Sequence, residues 1–209
     1  FDDFIRSSNG EWNVSTAGTG SNVNFNGGTG NNPGNVSFST GTQNFGRAGI
    51  RQQQAAFYFD SNFAYLSFLS KIPILSNNTD NFQIIMGFVD SNTTTPTDAV
   101  AIRYNHLINS GQIQFFTINN NIESNTNTLF APLDDTFFKV EILVKNDLAL
   151  CLINDEYFTN ITTNIPQTST RALSFGGFIL KSAGTNIRTF DTDYLIFKKK
   201  VQRWKFYSL

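Results

Sequence analysis

The side chains able to move protons, attack carbonyls or hold metals are few and scattered. A single histidine, His106, follows Tyr104 and Asn105, so a cluster of imidazoles around a metal is impossible and a Ser-His-Asp relay would depend on this one ring. No G-x-S-x-G turn accompanies it, and its place at the end of an apolar run reads as an ordinary surface or hydrogen-bonded histidine. The single cysteine, Cys151, sits among Leu150, Leu152 and Ile153. A thiol there packs as a small apolar group and lacks the electropositive, exposed setting of a nucleophile. It also has no partner for an intrachain disulfide.

Carboxylates add little. The glutamates are Glu11, Glu123, Glu141 and Glu156, none close to another in sequence, whereas glycoside hydrolysis needs two carboxyl groups facing one sugar bond. Asp191 and Asp193 have the i, i+2 spacing that points both to one side of a strand. A structural role at a strand entrance, or a weak Ca²⁺ contact, suits so unspecific a pair better than catalysis. Asp60 with Asn62, and Asp90 with Asn92, lack the ladder of a calcium loop. The Gly-rich stretch 18–34 has neither G-x-G-x-x-G before a helix nor the Lys-Ser/Thr of a phosphate loop, which disfavours a nucleotide. No metal, no cofactor and no catalytic residue are expected.

The elements that must position any site are strands. Runs rich in Phe, Ile, Val, Tyr and Thr alternate with Asn, Gly, Asp and Ser clusters, and helical periodicity is nearly invisible. In 136–145, Phe138, Val140, Ile142 and Val144 share one parity while Lys139, Glu141 and Lys145 share the other, so one face is buried and one wet. Asn146 and Asp147 tolerate the left-handed backbone of a tight turn, which pairs this run with 148–153 as a hairpin. That second run is apolar on both parities and is expected to lie centrally, covered on both sides. Further strands are expected at 63–72, 82–89, 99–104, 112–118, 173–181 and 194–201, with shorter ones at 12–16, 23–25, 36–40 and 56–59. The set describes an all-β fold, a two-sheet antiparallel sandwich of jelly-roll type, as one domain over residues 1–209.

Composition narrows the partners. Charged residues make up 15% of the 209, with 22 Phe and a formal net charge of −1, against about 25% charged in an average protein. Solubility must therefore come from Asn, Thr and Ser. Such a surface suits sugar hydroxyls or neighbouring subunits, since amides and hydroxyls donate and accept without the cost of desolvating charge. Phosphate neutralisation along a nucleic acid is disfavoured. The apolar run 148–153 is far short of the roughly 20 residues of a spanning helix, so no membrane insertion is expected. The C-terminal stretch from Lys198 to Tyr207 mixes bases with aromatics. It reads either as an edge strand guarded by lysines or as a contact with acidic surface sugars or a partner subunit, in which Lys199 and Arg203 rim the anchors Trp204 and Tyr207.

Two pieces of the chain resemble concanavalin A-like lectin/glucanase domains, particularly those of bacteriophage and other viral tail, fibre and surface proteins. The first is Phe82-Gln83-Ile84-Ile85-Met86-Gly87-Phe88-Val89-Asp90 with Asp98-Ala99-Val100-Ala101-Ile102-Arg103-Tyr104; the second is the 138–154 hairpin with Gly184-Thr185 and Asp193-Tyr194-Leu195-Ile196. The family's catalytic carboxylates have no matching positions. The resemblance implies a non-catalytic virion structural or receptor-binding protein on the virion surface or outside the cell. It would recognise host-surface polysaccharide or glycan, alongside other virion proteins and as a homo-oligomer. Sugar would stack on aromatic faces, with Trp12, Tyr58, Tyr104 and Tyr157 as candidates. The alternatives are a secreted polysaccharide-active lyase or glycosidase, or its carbohydrate-binding module, and a purely architectural capsid or fibre domain.

Overall fold

The computed structural model describes residues 10–28, 34–53, 58–59, 63–167 and 170–199. Among them, strands form two antiparallel seven-stranded sheets and the helical content is a 3-10 turn at Asn109–Gly111. The first sheet has the order β1 (Trp12–Ala17), β4 (Arg47–Gln52), β13 (Ser174–Lys181), β6 (Phe82–Val89), β7 (Ala99–Tyr104), β8 (Gln114–Asn119) and β9 (Ile122–Asn127). The second has the order β12 (Tyr157–Ile161), β11 (Leu148–Ile153), β10 (Phe137–Lys145), β5 (Ala64–Lys71), β14 (Thr189–Lys199), β3 (Asn35–Thr40) and β2 (Ser21–Asn26). This is the jelly-roll sandwich that the strand pattern predicts.

Period-two burial builds the core between the sheets. In β10, Phe138, Val140, Ile142 and Val144 point inward, against residues such as Phe68, Phe88, Phe115 and Phe175. Each buried aromatic or branched side chain contributes about 1.5–3 kcal/mol relative to exposure. The β10–β11 turn is closed by Asn146 at φ 53°, the left-handed conformation that Asn accepts at little cost.

The expected central place of 148–153 is not observed. β11 lies between β10 and the edge strand β12, and its outward residues Leu148, Leu150 and Leu152 are only half-buried. Two-sided burial belongs instead to β6, β7, β8 and β13 in the first sheet. There the parity opposite to the main core forms a second cluster of Ile85, Val89, Ala99, Ala101, Phe116, Ile118 and Phe178. Strands β4, β9 and β12 were not expected from the pattern. Gly49 interrupts β4, Ile122 is the one apolar residue of β9, and β12 is a five-residue edge. β14 starts at Thr189, ahead of the expected 194, because Phe190 turns inward and its ring meets that of Phe38 at 5.6 Å. Of the expected strand 56–59, Tyr58 and Phe59 are described and neither is in a strand.

Candidate functional site

Strand register gathers a polar array on the outer face of the first sheet. Arg103 of β7 pairs with Gln114 of β8, and Phe116, one step further along that face, pairs with Asn125 of β9. All four point away from the main core. The Arg103 guanidinium lies 4.9 Å from the Phe116 ring centroid, so the ring supports it from below. Its Nε donates to Gln114 Oε1 at 2.9 Å, and its Nη1 and Nη2 donate to Glu123 at 3.2 and 2.7 Å. Gln114 Nε2 donates to Asn125 Oδ1 at 3.0 Å, and Asn125 Nδ2 returns to Glu123 Oε1 at 2.8 Å. The network is closed on itself yet reachable, with Arg103 and Glu123 side chains 13% and 28% exposed. Its charges cancel pairwise within the array.

A loop walls the other half of this face. Arg47 donates to the Thr93 carbonyl at 2.7 Å and to Ser15 Oγ at 3.3 Å, while Arg51 donates to the Asp90 carbonyl. Asn92 donates to the Asn13 carbonyl at 2.9 Å. The loop comes so close that a Cβ on Gly49 would lie 2.3 Å from the Asn92 carbonyl oxygen. Glycine is therefore required there for space. Asp90 accepts from the backbone and hydroxyl of Thr97, and Asp98 pairs with Arg171 at 3.0 Å.

A second polar cluster sits at the end of the sandwich where the β5–β6 and β13–β14 connections meet. Asp80 accepts from Arg188 Nη2 at 2.8 Å, from Asn186 Nδ2 at 2.7 Å and from the Asn186 backbone at 3.1 Å. The Asn186 hydrogen bonds, helped by Arg188 and opposed by burial, hold the Asp80 carboxyl below the usual aspartate value. Lys181 is fully buried nearby, its Nζ donating to the Gly41 carbonyl at 2.7 Å. Burial pushes its ammonium below the usual lysine range. On the adjoining loops, His106 Nδ1 meets Ser76 Oγ at 2.7 Å and Nε2 meets Asn78 Oδ1 at 3.1 Å. Ser76 Oγ also accepts the Phe82 backbone N–H at 3.1 Å, and Ser76 is buried. This hydroxyl is held as a loop clamp rather than presented to a substrate.

The aromatic candidates separate sharply. Trp12 and Tyr104 are buried and offer no ring face to a sugar, which corrects the expectation for both. Trp12 packs edge-on against Phe175 at 5.8 Å, and the Tyr104 hydroxyl accepts the Ser76 N–H, burial pushing its pKa up to about 12. Tyr157 is half-buried with its ring 5.2 Å from that of Phe130. Tyr58 is exposed, but the Lys199 ammonium lies 5.2 Å from its ring centroid and donates to its carbonyl at 2.7 Å. Arg203, Trp204 and Tyr207 lie outside the described residues. Asp191 and Asp193 sit inside β14 rather than at its entrance, on either side of Thr192 where the register with β5 begins to shift. Cys151 is fully buried, and burial pushes its thiol pKa up. Among the described residues, no three His, Cys, Asp or Glu side chains group as a metal site.

Arg103, Gln114, Glu123 and Asn125 were missed by the sequence reading. The available signal was Arg103 alone in the otherwise apolar 99–104 run, on the parity of Ala99 and Ala101.

The architecture is that of the concanavalin-like jelly rolls, in which two antiparallel sheets stack face to face. Within that class the chain belongs to the SO2946-like, C-terminal domain family, whose profile matches residues 31–193. It is similar to the crystal structure of SO2946 from Shewanella oneidensis MR-1, a protein of unknown function, with TM-score 0.68, 14% identity, and coverage of 98% of this chain and 86% of that one. It is also similar to the carbohydrate recognition domain of Emp47p, with TM-score 0.64, 11% identity, and coverage of 95% and 94%. The alginate lyase AlyC3 aligns with TM-score 0.55, 12% identity, and coverage of 79% and 75%. No curated protein sequence matches the chain. At these identities the likeness defines the fold.

Proposed function

We propose that this chain is a non-catalytic glycan-recognition domain whose binding surface is the outer face of the first sheet around Arg103, Gln114, Glu123 and Asn125. The observation that carries the reading is the closed, partly exposed hydrogen-bond array those residues form. Its geometry suits vicinal hydroxyls, which exchange donors and acceptors with amides and guanidinium at fixed spacing. The carbohydrate recognition domain of Emp47p and the alginate lyase AlyC3, which share the fold, support a glycan as the ligand class. Glu123, the carboxylate of the array, accepts from three N–H groups of Arg103 and Asn125, and His106 is engaged at both ring nitrogens. Both facts favour holding a sugar over cleaving it.

The finer reading is a receptor-binding domain on a virion or other extracellular surface, directed at host-surface glycan. The charge-poor composition, rich in Asn, Thr and Ser, supports it. Titrating neutral and acidic polysaccharides against the protein tests the recognition, with size analysis of the glycan afterwards. Saturable binding that Arg103→Ala weakens at least tenfold, with glycan length unchanged, is expected. Shortened glycan would transfer the chain to the polysaccharide-active enzymes, and absence of binding across both classes would leave an architectural domain. Antibody labelling of intact particles tests the virion placement.

A further inference from the structure

We infer that the chain associates head to tail with a second copy of itself: an apolar, acid-rimmed end of one sandwich receives the basic aromatic stretch 200–207 of the next. The acceptor is the end where the β3–β4, β5–β6, β7–β8, β9–β10 and β13–β14 connections meet. Each of the five carries an exposed large apolar side chain: Phe45, Ile74, Leu107, Leu129 with Leu133, and Ile187. Scattered surface apolar residues need no explanation, but six of the eleven exposed large apolar side chains among the described residues gather on these five connections of a single end.

Backbone conformation strengthens the point. Phe45 and Leu129 have φ 64° and 65° and are 70% and 68% exposed. A left-handed backbone disfavours branched and aromatic residues, and burial within the chain gives these two no compensation. Contact outside the chain would. The connections are also tied together into one surface. Lys181 N–H donates to the Gly46 carbonyl at 2.9 Å, Asp80 holds Asn186, the Leu75 N–H donates to Asp134 at 2.6 Å, and Ser76 holds His106.

Charge selects the occupant. Asp134, Asp135, Asp155 and Glu156 are exposed at this end, and the described connections there carry no exposed lysine or arginine. Lys71 and Lys139, at the adjoining strand ends, are paired with Asp135 and Asp155. Two such ends facing each other would set carboxylates against carboxylates, and an anionic lipid surface would be repelled in the same way. The complementary chemistry is in this chain's own sequence, where Lys200, Arg203 and Lys205 alternate with Trp204, Phe206 and Tyr207. β14 starts at the acidic end and runs to Lys199 at the opposite end. Acceptor and occupant are different parts of the chain, which makes the contact heterologous, so copies extend into chains or close into rings.

Sedimentation velocity on the full chain tests this. Average mass should rise with protein concentration and fall with added salt, which screens the charge pairing. Phe45→Asn/Leu129→Asn removes apolar tips and places at both sites a residue that accepts the left-handed backbone, so folding is preserved. Trp204→Ala/Arg203→Glu alters the other partner. Each variant alone should self-associate at least tenfold more weakly. An equimolar mixture of the two should form dimers that grow no further, since one intact acceptor meets one intact basic stretch. Glycan binding by the outer face is a separate property, and both variants should retain it. A wild-type protein that is monomeric at every concentration, a tip variant that associates like wild type, or a mixture that forms no dimer would each overturn the contact.

Discussion

Arg188 with Asp80 at the loop end, and Arg103 with Glu123 on the open sheet face, are the same pair of functional groups in two solvent settings. Each pair is completed by side-chain amides, Asn186 in the first and Gln114 with Asn125 in the second. At the loop end the side chains are 8% and 3% exposed, whereas on the face they are 13% and 28% exposed. In the sealed setting, removing one partner strands a buried charge. On the sheet face the pair is only partly covered, so water replaces part of the lost contact and breaking it costs less. Burial, rather than residue type, separates the cluster that holds loops from the one proposed for recognition.

The largest expected effect is at the sealed pair. Asp80→Ala should lower the unfolding free energy by about 3–5 kcal/mol, read from denaturant midpoints. The pH dependence has a definite sign. Because the folded Asp80 pKa is depressed, its stabilisation is fully present above the unfolded value of about 3.9 and is lost as pH falls through the folded one. Below pH 4 the melting temperature should therefore fall with pH more steeply for wild type than for Asp80→Asn. Next in size is Gly49→Ala, whose Cβ forces the Asn92 backbone to move. A loss of about 1–3 kcal/mol is expected, with amide exchange rising in 90–97.

Arg103→Ala should cost less stability than Asp80→Ala, and it should lower glycan affinity at least tenfold. Equal stability losses at Asp80 and Arg103 would break the comparison. The smallest effect is expected at Asp155, whose carboxyl is held below the usual aspartate value by Lys139 in an exposed pair at 2.6 Å. Asp155→Asn should leave the melting midpoint unchanged within error.

Parity made the sheets legible. The alternation in 136–145 and the two-sided apolar run 82–89 determine which side chains go inside, and Asn at left-handed turns marks the hairpin ends. Strand order was not legible, because it depends on pairings between distant segments. The apolar 148–153 run was assigned a central place that 82–89 holds instead. The same limit hid the site. Arg103, Gln114 and Glu123 meet through the β7–β8–β9 register, and β9 carries almost no strand signal. Trp12 and Tyr104 were chosen for their ring chemistry, but their inward parity became clear only once their neighbours Phe175 and Phe82 were in place.

Mapping backbone amide shifts by NMR during titration with an oligosaccharide drawn from a glycan the protein binds tests the central claim most directly. Saturating shifts should concentrate in β7, β8 and β9 around Arg103, Gln114, Glu123 and Asn125, leaving Asp80 and Asn186 unmoved. Shifts confined to the loop end around Asp80 and Asn186, or none on the outer face of the first sheet, would contradict it.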